Sequence, residues 1–213
     1  MTQKLLLLKG GIFADEVADL AADCPGFEVA GFVVNREPYE PGTRHLGLPV
    51  YWFEDLPAEV QGYRFLCGIG TTHRWQFTEQ MEGMGLRAAT LIHPTAHVSS
   101  TAVIGEGTII SAGAVIASYT QIGRHVIVNR GALVGHHTRI DDHVTVAPGA
   151  NIGGAVEIAR RTWVGIGATV LEKTRIGESC LVGAGAVVMQ DVLARTHVMG
   201  NPARVFQREI EGY

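Results

Sequence analysis

The chain has 213 residues, 46% of them hydrophobic, and carries a formal net charge of −4 with 27 glycines and three cysteines. That length allows one or two domains, and the lack of any block of basic residues argues against a nucleic-acid binder. Cys24, Cys67 and Cys180 form no CxxC pair, which fits a reducing, cytoplasmic setting, and the first apolar run is too short for a signal peptide or a membrane span.

Leu5 to Leu8 is a four-residue apolar run of the kind buried in a parallel sheet. Lys9-Gly10-Gly11 follows as a turn. Ala14 to Cys24 reads as an amphipathic helix, with Val17, Ala18, Leu20 and Ala21 opposed to Asp15, Glu16, Asp19 and Asp23. Glu28 to Val34 and Arg64 to Ile69 read as strands, Arg74 to Met84 as a helix stopped near Gly85, and Ala88 to Ile92 as a last strand. Alternating strands and helices predict a small α/β unit of the Rossmann-like, doubly wound type over residues 1–90.

From Ile92 to Val188 every sixth residue is Ile or Val, seventeen times without an insertion. Two residues before each, from Val98 on, stands a small or short side chain, for example Ala114, Thr120, Val126 and Ala132. A period of two means a flat sheet and 3.6 a helix; a strict period of six means a solenoid of short strands and corners. With three hexads per turn, the repeats make nearly six coils and a prism about 27 Å long. The Ile and Val side chains are expected to point inward. The solenoid is expected over 91–193, and 194–213 as a C-terminal tail or helix. Residues eighteen apart then share a column, which sets His136 between Ser118 and Gly154, and His137 between Tyr119 and Ala155. His125 and His143 should stack as an exposed ladder.

Several segments carry a family likeness. They are Asn129-Arg-Gly-Ala-Leu-Val-Gly-His136-His137, Ala147-Pro-Gly-Ala-Asn-Ile-Gly-Gly154, Trp163-Val-Gly-Ile-Gly-Ala168 and Gly200-Asn-Pro-Ala-Arg204. With Phe13-Ala-Asp-Glu-Val17, Gly68-Ile-Gly70 and Leu91-Ile-His-Pro-Thr95 in front, the chain resembles the NeuD/PglD group of bacterial sugar acyltransferases. The resemblance implies a left-handed parallel β-helix of hexapeptide repeats behind the α/β domain. It implies acetyl-CoA as co-substrate, no metal, and a homotrimer with the acetyl-CoA groove between prisms. It also implies transfer to the amino group of a nucleotide-linked amino sugar for surface-glycan synthesis, or alternatively to a hydroxyl.

By the same resemblance His136 is the general base. Relatives usually have an acidic residue next to it; here that place is His137, which can orient the first ring but not raise its basicity as a carboxylate does. Thr145, Gly154, Ile166 and Ala184 match positions along the acetyl-CoA groove. Gly10, Gly11, Ile12, Phe13, Asn35 and Gly70 match the sugar-nucleotide site, where Lys9 and Ile12 replace two of the usual glycines and Val34-Asn35 an acidic pair. Two readings of other classes stand beside this one. The altered loop suits a non-catalytic binding or assembly protein, and stacked histidines on such a prism suit a metal-dependent hydratase of the γ-carbonic-anhydrase kind.

Overall fold

A computed structural model describes residues 2–213. The N-terminal part holds β1 (Gln3–Lys9), α1 (Phe13–Ala22), β2 (Phe27–Val34), β3 (Arg44–His45), β4 (Leu48–Trp52), β5 (Arg64–Gly68), α2 (Trp75–Gly83) and β6 (Arg87–Ala88). The sheet runs β3-β4-β2-β1-β5-β6 and is parallel apart from the β3–β4 hairpin. Leu5 to Leu8 are fully buried in its middle strand. Strand alternation sends Leu5 and Leu7 to the α1 side, with Val17 and Leu20, and Leu6 and Leu8 to the α2 side, with Phe77 and Met81. The hairpin β3–β4 was not foreseen: it is short, and its turn is signalled only by Leu46 and Gly47, both at positive φ.

The expected single strand at 88–92 is two. Arg87–Ala88 closes the α/β sheet, and Leu91–Ile92 opens the solenoid by pairing with Ile109–Ile110. From there two-residue strands recur every six residues, each paired in parallel with the strand eighteen residues on, as Thr145 with Trp163 and Leu133 with Asn151. Three sheets result, which wrap a triangular prism. The first face begins at Leu91–Ile92, the second at His97–Val98 and the third at Val103–Ile104. Ile110, Ile116, Ile122 and their successors fill the interior with Ala114, Val126 and Ala132 between them. The inward stacking fails only at its lower end, where nothing lies beneath the first coil. Ile92 is 40% exposed, and Val98 and Ile104 are half-buried.

Within the body of the prism each corner turns through one residue at positive φ. Between the first and second faces this is always glycine, at 113, 131, 149, 167 and 185. The other two corners force side chains into that conformation: Tyr119, His137, Ala155 and Lys173 at one, and, above Gly107, His125, His143, Arg161 and Ser179 at the other. These are the corners where chemistry can be placed.

The expected C-terminal helix is a strand. Arg204–Arg208 pairs antiparallel with Thr196–Met199 and supplies the hydrogen bonds that the last coil would otherwise leave unmade. Residues beyond it return to the first face, where Tyr213 packs on Trp163 with ring centroids 4.5 Å apart.

The α/β unit seats on the first face and reaches around both its edges. Leu91 and Ile109 of the prism join the α1 core cluster. Glu16 pairs with Arg130 at 2.8 Å on one edge, and Arg64 with Glu106 at 3.1 Å on the other.

Candidate active site

His136 and His137 stand exposed on the corner between the second and third faces, the corner opposite the α/β unit. Backbone ladders fix them: His137 N–H donates to Ser118 O at 2.9 Å, and Ala155 N–H to His136 O at 2.8 Å. The two rings are perpendicular, with Nδ1 to Nδ1 at 3.1 Å. Tyr119, one coil below, supports the His137 ring at 5.0 Å. Gly154, one coil above, has no side chain to displace the His136 ring. Among the described residues neither ring is within ion-pair distance of a carboxylate, so the acidic partner that the resemblance led one to expect has no substitute from the same chain. In the tautomer where His136 Nδ1 donates to His137 Nδ1, the lone pair of His136 sits on Nε2, the atom facing the Gly154 slot.

The remaining expected groove residues divide. Ile166 (59% exposed) and the exposed Ala184 share a column on the corner between the first and second faces, one prism edge away from His136 and Gly154. Thr145 does not line a groove at all. It is 1% exposed under the α/β unit, donates to Gly70 O at 3.0 Å and accepts from Arg74 at 2.7 Å. A threonine on the first face meets the docked domain, which absorbs its hydroxyl.

Of the expected sugar-nucleotide residues, those of the loops after β1 and β5 lie side by side. Because β1 lies between β2 and β5, strand order reverses beside it, and the loops after β1 and β5 border one crevice. A β-carbon on Gly10 would touch Ile69 at 3.0 Å, and one on Gly70 would meet the Phe13 ring at 3.8 Å. Gly11 and Ile12 lie exposed on the rim. Asn35, after β2, donates to Gln80 Oε1 at 2.8 Å.

His125 and His143 stack as the eighteen-residue spacing requires, with centroids 5.1 Å apart, but they are not an exposed ladder. His125 lies under Phe65 and binds Glu82 at 2.9 Å, while His143 meets Thr78 at 3.0 Å. Burial, with Arg74 nearby, pushes the His143 imidazole down to about 3. Both histidines are domain-docking residues, and among the described residues no three His, Cys, Asp or Glu side chains gather as a metal site would need.

Sequence reasoning missed Arg74. Only 1% exposed, its guanidinium donates to His125 O, Val144 O, Thr71 O and Thr145 Oγ1 at 2.7–3.1 Å. Nothing in the sequence marks it, because three of its partners, His125 O, Val144 O and Thr145 Oγ1, come within reach only through docking.

No family model and no curated protein matches the chain. Solved structures do. The acetyltransferase domain of PglB from Neisseria gonorrhoeae FA1090, in complex with acetyl coenzyme A, is 31% identical with a TM-score of 0.84, over 97% of this chain and all of that one. The chain belongs to the NeuD/PglD-type sugar acyltransferases. Its prism is the hexapeptide-repeat left-handed β-helix of that family. Other members align as fully. A histidine-to-asparagine variant of perosamine N-acetyltransferase from Caulobacter crescentus, in complex with CoA and GDP-perosamine, is 27% identical with a TM-score of 0.86, covering 97% of this chain and 98% of that one. WeeI from Acinetobacter baumannii AYE is 26% identical with a TM-score of 0.86, covering 96% of this chain and all of that one.

Proposed function

We propose that this acyltransferase moves the acetyl group of acetyl-CoA to the amino group of a nucleotide-linked amino sugar. The observation that carries the reading is the alignment over 97% of the chain, both domains included, with an N-acetyltransferase holding CoA and GDP-perosamine. Residues 1–90 form a Rossmann-like domain that holds the sugar nucleotide around Gly10, Gly11, Ile12, Phe13, Asn35 and Gly70. Residues 91–193 form the acyl-transfer domain, and 194–213 a tail that folds back on it.

His136 Nε2 accepts a proton from the acceptor amine as the nitrogen attacks the thioester carbonyl. His137 holds the tautomer that makes this possible. The backbone N–H of Gly154, whose neighbours at 153 and 155 donate to Val170 O and His136 O, stabilises the oxyanion, and the C–S bond breaks as His136 returns the proton to the departing thiolate. No covalent enzyme intermediate forms.

In one chain the sugar-nucleotide crevice sits over the first face and His136 on the opposite corner, with Ile166 and Ala184 on a third line. A homotrimer resolves this: the second face of one prism lies beside the His136 corner of its neighbour, and Gly154, Ile166 and Ala184 border one groove for acetyl-CoA. Exposed apolar residues on and beside that face, among them Leu133 (43%) and Ile166 (59%), support the packing. The reading places the protein in the cytoplasm, in surface-glycan synthesis. The three free thiols fit that compartment, and among the described residues no helix is long and apolar enough to cross a membrane.

The test is thiol release from acetyl-CoA against a panel of UDP- and GDP-linked amino sugars. N-acetylation leaves a product stable to hydroxylamine, and O-acetylation one that hydroxylamine cleaves. No thiol release with any amino sugar would refute the reading.

A further inference from the structure

The reading of residues 1–90 as the sugar-nucleotide domain raises the question of what receives the phosphates. The crevice beside β1 is entered by the N-terminus of α1, where Ile12 is the N-cap and no side chain caps the free amides. Such an end attracts an anion through its N–H groups and the helix dipole. The chain supplies an anion of its own there. Asp15, in the first turn, receives Lys9 Nζ on Oδ1 at 3.5 Å and His45 Nε2 on the same oxygen at 2.5 Å. Lys9 also donates to Gly11 O at 3.1 Å.

Phe32 is the floor under both groups, with Lys9 Nζ 5.9 Å above its ring and the His45 ring edge-on at 4.8 Å. His45 arrives from the β3–β4 hairpin, so two separate segments converge on one carboxylate oxygen. The three side chains remain 21%, 27% and 39% exposed for Lys9, His45 and Asp15, open to a ligand in the crevice. This arrangement explains why a lysine is tolerated where relatives have a glycine: the carboxylate of Asp15 holds it aside.

We propose that Lys9 and His45 bind the diphosphate of the sugar nucleotide, and that Asp15 is a built-in competitor for them. Lys9 Nζ and His45 Nε2 then exchange one carboxylate oxygen for phosphate oxygens. Asp15 sets affinity from the opposite side, by holding Lys9 and by repelling the incoming phosphates. Substitutions of neighbouring residues in one cluster therefore act with opposite signs, which a purely structural triad does not do.

Calorimetric titration of the full chain with UDP and with GDP tests this without any turnover. Lys9→Met is expected to weaken the better-bound nucleotide about tenfold or more, and His45→Gln about threefold or more. Asp15→Asn is expected to tighten it about threefold or more, and Lys9→Met added to Asp15→Asn to abolish that gain. Thermal melting of each variant verifies folding. Asp15→Asn binding more weakly than the parent, or Lys9→Met binding as well as the parent, overturns the proposal while the sugar-nucleotide reading stands. Failure of the unaltered chain to bind either nucleotide at millimolar concentration overturns that reading, and the proposal with it.

Discussion

His136 fills the space that a side chain at position 154 would need. A β-carbon on Gly154 would come within 2.8 Å of both Cε1 and Nε2 of the imidazole one coil below. The glycine is therefore required by the ring and not by its own backbone, since its φ is not positive. Gly154→Ala should push the ring out of line and lower kcat about tenfold or more. Steady-state kinetics check this, with an unchanged melting temperature excluding collapse of the coil.

His136→Ala removes the proposed base. The expected loss in kcat is about a hundredfold or more, with acetyl-CoA affinity retained. A variant with full rate in the thiol-release assay would dismiss His136 from the chemistry.

His137 sits at φ +57°, a conformation that Asp and Asn adopt more readily than most residues. His137→Asp is expected to fold, and its carboxylate against His136 Nδ1 raises the basicity of that ring. The base must be deprotonated to act, so the acid limb of the kcat/KM profile moves to higher pH. An unmoved limb would show that the two rings are not coupled in the reaction.

The docking of the two domains is acid-sensitive. Burial holds the His143 imidazole neutral, down to about 3, and burial also lowers His125. Unfolding frees an imidazole to bind its proton near pH 6.5, so stability is complete above that value and declines as pH falls toward 3. The slope is about 1.4 kcal/mol per pH unit for one such group, or on the order of 2 kcal/mol between pH 8 and pH 5. Urea unfolding at the two pH values measures it, and His143→Leu should flatten the difference.

Arg74 is a buried cation answered only by oxygen dipoles, lowered by burial to about 10 and so still charged at neutral pH. Arg74→Met strips hydrogen bonds from His125 O, Val144 O and Thr71 O at once. Losing several buried bonds outweighs the desolvation relieved, and a cost of about 3 kcal/mol is expected. Denaturant midpoints give the value, and Arg74→Lys should recover part of it.

The prism was legible in the sequence because a solenoid repeats one local solution. Each hexad sees the same neighbours, so an Ile or Val every six residues states both the strand and the direction its side chain faces. The same eighteen-residue count placed Gly154 over His136 and His143 over His125 before any coordinates. It failed where repetition ends: at Ile92, which has no coil beneath it, and at Arg204 to Arg208, whose pairing answers an open edge that no local pattern announces.

What the sequence could not state is where one unit meets another. Thr145 has the same place in its hexad as the exposed Leu133 and Asn151, yet it is sealed because a domain ninety residues long lies on the first face and not on the second. His125 becomes buried and His143 half-buried by the same event, and Arg74 finds His125 O and Val144 O through it. The meeting of Asp15 with His45 likewise depends on a hairpin folding across the sheet. Repeats determined the scaffold, since their interactions are local and periodic. The docked surface decided which polar residues are spent on structure and which remain free for chemistry, since that depends on contacts between segments far apart in the chain.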